Sequence, residues 1–252
     1  VQKTMATKTK KPTAMPKRTS ISARALTYHN VRRPLTVLII DVRPLRRQHH
    51  AEGEQPLGHA AVKPVLYPND GFETEKETAI QLFKSQRGIM REKAQDTRRR
   101  ARGKPVYYTE WNSSSDPRDP LHDEPYAAAF AVSTIMEARG LVEGYSFWTF
   151  SDIFEENYLP SLPFHGGFGL LTLHGIPKPT YRTFELLHDL GDRQSLVDGL
   201  HETVDCSVVQ KESSVTVLLT NHTTPGHSIE TEDVYVRLDN APEPVAALIQ
   251  RV

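Results

Sequence analysis

Glu110-Trp111-Asn112 and, further on, Trp148-Thr149-Phe150-Ser151-Asp152 followed by Phe154-Glu155-Glu156 gather carboxylates and indoles into two clusters. A carboxylate can attack or stabilise an oxocarbenium-like centre, and an indole face stacks on the apolar face of a pyranose ring. The combination suits sugar chemistry. The 11 His show no His-x-x-x-His or comparable ligand spacing beside a carboxylate cluster, and the lone Cys206 excludes both an intramolecular disulfide framework and a Cys-based zinc site. No metal or other cofactor is expected. Cys206 reads as a small buried hydrophobe.

Such residues need elements that aim them. The run Pro105-Val106-Tyr107-Tyr108-Thr109-Glu110-Trp111-Asn112 is strand-like and ends in polar residues. A helix follows, with Asp123 as its cap, Pro125 in its first turn, Tyr126, Ala129, Phe130, Ser133 and Met136 on one face, and Gly140 as its stop. Tyr145 to Phe150 reads as a second short apolar strand, a loop runs through Pro179, and Tyr181 to Leu190 reads as a helix ended by Gly191. This βαβα order belongs to a parallel sheet or barrel, in which reactive residues sit at the C-terminal ends of strands. Glu110 and Trp148 have that position.

Upstream, Leu35 to Ile40 reads as a buried strand, and Val65-Leu66-Tyr67 as a strand entering the turn Pro68-Asn69-Asp70-Gly71. Glu73 to Arg102 reads as a long helix, or a pair broken at Gly88, with Ile80, Phe83 and Met90 on its apolar stripe. Beyond Gly191 the apolar period becomes two, over Val204 to Ser207, Val215 to Thr220 and Val234 to Leu238. The expected fold is therefore α/β: an incomplete (β/α) TIM-like barrel with a small antiparallel β-subdomain. Its expected divisions are a basic, mobile segment over 1–33, a partial (β/α) barrel catalytic domain over 34–191, and a β-sandwich-like subdomain over 192–252.

The 252 residues balance 31 Lys+Arg against 31 Asp+Glu, but the balance is uneven along the chain. Residues 1–50 hold 12 Lys/Arg and the single acid Asp41, leaving 19 basic against 30 acidic residues in 51–252. No apolar run approaches the roughly 20 residues of a membrane span, and no secretory signal is seen, so a cytoplasmic protein without a membrane partner is expected. Asn112-Ser113-Ser114 and Asn221-His222-Thr223 fit the glycosylation pattern without a secretory context. The cluster Arg98-Arg99-Arg100-Ala101-Arg102 reads as a solvated helix end, and basic segments without interleaved aromatics are poor grounds for nucleic-acid recognition.

Residues 104–191 resemble the C-terminal part of the catalytic barrel of family 39 glycoside hydrolases, most closely its β-xylosidase branch. The resemblance rests on Val106 to Asn112, Asp116-Pro117 to His122-Asp123, Phe147 to Glu156, Phe164-His165-Gly166-Gly167-Phe168-Gly169-Leu170 and Ile176-Pro177-Lys178-Pro179. The tail after Gly191 is similar, more loosely, to the family's β-sandwich. The resemblance implies a retaining glycosidase with Glu110 as nucleophile, cleaving terminal non-reducing β-xylosyl residues, with β-glucosyl or α-L-arabinosyl residues as further substrates. It implies a substrate-binding set of Trp111, Asn112, Trp148, Asp152, Glu155 and His165, with Glu156 as an acid/base or sugar contact, and no metal.

A retaining site needs a second carboxyl about 5–5.5 Å from the first. In this family it is the Glu of an Asn-Glu-Pro motif, and no Asn-Glu-Pro occurs in the sequence. A full barrel takes about 250 residues, of which the matched region supplies the last two or three strands. The expectation is an N-terminally truncated portion of the barrel with weak activity, and a homo-oligomer covering the incomplete barrel. His59 and Tyr67-Pro68 resemble, more faintly, the family's sugar-contacting His and Tyr on an earlier strand. The competing expectation is a carbohydrate-binding remnant without turnover.

Overall fold

The computed structural model describes residues 20–26, 37–44, 65–69, 74–154, 160, 162–199, 201–211, 214–238 and 245–251, with backbone alone for 20–26, 37–44, 75 and 245–251. His59, Glu155 and Glu156 lie outside the described residues. Strands β1 (Ser20–Leu26), β2 (Val37–Pro44), β3 (Val65–Leu66), β4 (Tyr107–Trp111) and β5 (Gly144–Phe147) precede β6 (Arg193–Asp198), β7 (Val204–Lys211), β8 (Ser214–Asn221), β9 (Asp233–Leu238) and β10 (Val245–Arg251). The helices are α1 (Glu75–Lys84), α2 (Ile89–Arg100), α3 (Pro125–Glu137) and α4 (Pro179–His188), with a 3-10 turn at Pro120–Asp123.

Strands β3, β4 and β5 form a parallel sheet in that order, with helices in each crossover, as the βαβα pattern predicts. Thr74 and Glu77 close a capping box on α1. Gly88, at φ 79°, separates α1 from α2, so of the two readings, one long helix or a pair broken at Gly88, the pair is the one found. On α1 the buried residues are Thr78 and Leu82, whereas Ile80 and Phe83, expected on the core stripe, are 43% and 47% exposed. Phe83 instead stacks on His227, 4.3 Å between ring centroids.

Helix α3 departs from the expected single apolar face. It buries Ala127 through Thr134 and also Met136, because it lies between two layers. Phe130 and Ala131 pack with Met90, Ala94, Tyr108 and Trp111 on the parallel-sheet side, while Ala128, Ala129, Val132 and Met136 pack with Val209 and Leu218 of the antiparallel sheet. Small alanines let both layers approach one helix. Asp123 does not cap α3; the N-cap is Glu124, without a side-chain bond.

The antiparallel part exceeds the appendage read from the tail. Seven strands run in the order β10-β2-β8-β7-β6-β1-β9, antiparallel except for β1 beside β6. Of the run 35–40, expected among the barrel elements, the described residues 37–40 belong to β2, which pairs with β8 and β10. A short β-branched run specifies a strand but not its sheet. The layers are also tied by Arg87 to Asp205 at 2.6 Å, by Ser133 Oγ donating to Asp205 Oδ2 at 2.7 Å, and by Arg139 Nη2 donating to the Asp192 carbonyl at 2.6 Å.

Asn112 and Asn221 are 1% and 6% exposed, with their amides donating to backbone carbonyls, so neither sequon presents an acceptor. At the end of α2, Arg98 pairs with Glu143 at 2.9 Å and Arg100 with Asp96 at 2.6 Å, and Arg99 also reaches Asp96. Burial pushes the half-buried Cys206 thiol up to about 11, with Asp205 adding to the effect. No described helix is long and apolar enough to cross a membrane.

Candidate active site

In β4, Tyr108 pairs with Tyr145 and Trp111 with Phe147, so three steps along β4 match two along β5. This register shift is a β-bulge, which adds a residue and re-aims side chains. Tyr108 and Trp111 consequently share the helix-facing side, where both rings meet Tyr145, with centroids at 6.0 and 5.5 Å. Glu110 is left half-buried and turned away from them.

Glu110 meets β3 at the site. Val65 is its register partner, and two residues on Tyr67 Oη donates to Glu110 Oε1 at 2.8 Å. Lys93 holds the turn after β3, donating to the carbonyls of Tyr67 at 2.6 Å and Pro68 at 3.3 Å. Asn69 and Ser115 exchange two hydrogen bonds, Asn69 Nδ2 to Ser115 Oγ at 2.8 Å and Ser115 N to Asn69 Oδ1 at 3.0 Å. The loops beyond β3 and β4 are thereby locked to each other.

Trp148, half-buried, follows β5; its backbone N donates to the Trp111 carbonyl at 3.0 Å, and its ring meets Phe154 edge-on at 4.9 Å. The Trp148–Thr149 peptide is cis. His165 is half-buried, with Nδ1 3.1 Å from the Leu162 carbonyl.

Three residues expected to touch substrate are otherwise engaged. Trp111 is 0% exposed in the aromatic core, since the bulge puts it on the helix side. Asn112 is 1% exposed and spends its amide on the carbonyls of Trp148 at 2.5 Å and Phe168 at 3.3 Å. Asp152, also 1% exposed, accepts from Gly169 N at 2.7 Å and pairs with Lys178 at 2.8 Å. Asn112 and Asp152 therefore position the loops around Glu110 and offer nothing to a ligand.

Buried polar residues that sequence reasoning did not single out complete that layer. Lys178, 0% exposed, also pairs with Asp123 at 2.6 Å and donates to the Gly167 carbonyl at 2.8 Å. His122 lies between the Gly166 carbonyl, 2.8 Å from Nδ1, and Ser114 Oγ, 3.2 Å from Nε2. Burial holds the His122 imidazole below its usual range. The quoted strings Gly166 to Leu170 and Ile176 to Pro179 contain the signal, but only the fold shows that Lys178 reaches back under the first. Among the described residues no cluster has the make-up of a metal site.

Over 190 residues, 74% of this chain, the sequence is 44% identical to a beta-xylosidase of Caldicellulosiruptor saccharolyticus. It is 45% identical over 95 residues, 38% of this chain, to a beta-xylosidase of Geobacillus stearothermophilus. The chain spans 39% and 19% of those two relatives' lengths. Among solved structures, the GH39 enzyme from Xanthomonas axonopodis pv. citri matches 62% of this chain and 31% of its own, at 30% identity and TM-score 0.49. A GH39 beta-xylosidase from Caulobacter crescentus matches the same shares at 30% identity and TM-score 0.43. Residues 62–251 fit the profile of glycosyl hydrolases family 39, and the chain belongs to that family.

Proposed function

We propose that this chain carries the nucleophile side of a retaining β-xylosidase site, with Glu110 as the nucleophile. The observation that carries the reading is the hydrogen bond from Tyr67 Oη to Glu110 Oε1 at the ends of two parallel strands. A donor fixed on one carboxylate oxygen orients the other for attack and stabilises the anion until it reacts.

The Glu110 carboxylate attacks the anomeric carbon, a carbon–oxygen bond forms there, and the bond to the aglycone oxygen breaks with its electron pair. That oxygen takes up a proton, and water then displaces Glu110 and loses a proton. Trp148 stacks on the terminal sugar, His165 and Glu155 bind its hydroxyls, and Glu156 is the candidate proton donor or a further sugar contact. β-Xylosides are the main substrates, with β-glucosides and α-L-arabinosides secondary. The sheet is the C-terminal part of a (β/α) barrel, and a second copy of the chain covers its exposed apolar residues, among them Val65 at 56% and Phe150 at 66%. A monomer by light scattering at micromolar concentration would refute that association.

Release of nitrophenol from 4-nitrophenyl β-xyloside tests the activity, because an aryl leaving group needs little protonation. Glu110→Gln must abolish it; equal rates in the variant and the parent chain would remove Glu110 from the role. A second reading, carbohydrate binding without turnover, draws on Asp152, whose oxygens are committed to Lys178 and Gly169. Quenching of Trp148 emission by xylose with no nitrophenol released would select it.

A further inference from the structure

We infer that Lys178 is a positioning residue for this site: its ammonium fixes the segment from Gly166 to Leu170 and, through Phe168, the Tyr67–Glu110 pair. The inference rests on the function proposed above. Lys178 is the N-cap residue of α4 and is 0% exposed, yet the contacts of its ammonium all lie in other segments. They are Asp123 Oδ1 at 2.6 Å, before α3; Asp152 Oδ2 at 2.8 Å, beyond β5; and the Gly167 carbonyl at 2.8 Å. The ammonium thus donates one hydrogen bond, to the Gly167 carbonyl, and is held between two carboxylates by ion pairing. The remaining carboxylate oxygens accept from the same segment, Asp123 Oδ2 from Gly166 N at 2.6 Å and Asp152 Oδ1 from Gly169 N at 2.7 Å.

The path to Glu110 is continuous. Phe168 lies inside the clamped segment, and its carbonyl accepts from Asn112 Nδ2 at 3.3 Å and Thr149 N at 3.0 Å. Its ring faces His122 at 5.1 Å and Tyr67 at 6.5 Å, and Tyr67 donates to Glu110. The glycines are required for the clamp. A Cβ on Gly167 would lie 2.5 Å from Asp152 Oδ1, and one on Gly169 would strike the Asp152 backbone nitrogen. Two carboxylates and one ammonium buried together are a poor source of stability, since apolar residues of similar volume serve as well or better. Three segments converging on one charge beside the site are accounted for by the positions they hold.

The test uses the full chain and 2,4-dinitrophenyl 2-deoxy-2-fluoro-β-xyloside, which leaves a glycosyl ester on the attacking carboxylate and releases dinitrophenolate. Intact mass against time and probe concentration separates the limiting labelling rate from the half-saturating concentration. In Lys178→Met the limiting rate should fall about tenfold or more, with half-saturation within about threefold of the parent, as expected for a displaced reacting group. A merely structural role would lower the fraction of chains that label and leave their rate unchanged, and that result, or a parental rate, overturns the inference. If Lys178→Met does not fold, Asp123→Asn leaves Lys178 paired with Asp152 and should slow labelling about threefold; a parental rate there overturns it equally. If the parent chain itself does not label, the proposed activity fails. Amide exchange then decides the inference alone: Gly166 and Gly169 should exchange about tenfold faster in the variant, and unchanged exchange overturns it.

Discussion

Tyr67 and Glu110 meet at 2.8 Å although β3 contributes two residues and α1 and α2 intervene in the chain. The donor sits in a turn held by Lys93, and the acceptor beside a β-bulge, so each partner is aimed by a separate local device. Tyr67→Phe removes the donor and little apolar area. A hydrogen bond to a charged group contributes about 1.5–3 kcal/mol, so kcat/KM on an aryl β-xyloside should drop about 10- to 100-fold. Thermal melting within a few degrees of the parent, measured alongside, confines the effect to the site.

Gly169 is the tightest point of the loop below the site. A methyl group there meets the backbone of Ser151 and Asp152, which cannot yield as a flexible side chain would. Gly169→Ala should therefore destabilise the chain by about 1–3 kcal/mol, as overpacking does, read as a lower urea midpoint. Gly103 provides the contrast: nothing lies within 4 Å of its added Cβ, and only its φ of 83° resists substitution. Gly103→Asn, which tolerates that conformation, should melt close to the parent.

Asp205 is the polar joint between the layers, accepting from Ser133 and pairing with Arg87. Arg87 also donates to the Glu202 carbonyl at 2.5 Å, so it bridges two points of the antiparallel part. Both partners of the pair are partly exposed, with side chains 23% and 32% accessible, which discounts the charge contribution. The buried Ser133 and Thr220 hydroxyls, which both donate to Asp205 Oδ2 and would be left with only each other, dominate the cost. Asp205→Ala should lose about 1–3 kcal/mol in urea unfolding, and Ser133→Ala should lose less, because it removes the donor as well as the bond.

Much of this was legible in the sequence, for physical reasons that also mark where legibility stops. Strand β4 declares itself by its apolar run and helix α3 by Pro125 in its first turn, although a single-face period misreads a helix buried on two sides, and Glu110 stands at a strand end as its place in the run predicts. The bulge has no period, so Trp111 reads as a ligand platform when it belongs to the core. Asn112 and Asp152 have the residue types of a binding site, yet their partners are main-chain groups and Lys178, which no spacing rule brings near. Leu35 to Ile40 reads as a strand because β-branched residues favour one, while the partners of its described part in β2, β8 and β10, are set by contacts far away in sequence.

Acid should loosen the joint between the layers through His222. Burial, with a smaller contribution from Arg87, pushes its imidazole down to about 4, and Asp205, 3.6 Å away, only partly opposes this. The unfolded chain takes up a proton near 6.5 while the folded chain does not. The stability contributed by neutral His222 is thus complete above pH 6.5 and is lost as pH falls from there towards 4, by about 3 kcal/mol at full expression. Buried His122 adds in the same direction. Glu137 has the opposite sign: burial and Asp205 raise its carboxyl, so its contribution is greatest in acid and is lost as pH rises. It softens the acid loss without reversing it, because two buried histidines oppose one partly buried acid. Urea unfolding at a series of pH values should show stability falling between pH 6.5 and 4 in the parent, and a shallower fall in His222→Gln. Parallel profiles for the two would mean that folding does not lower the affinity of His222 for its proton.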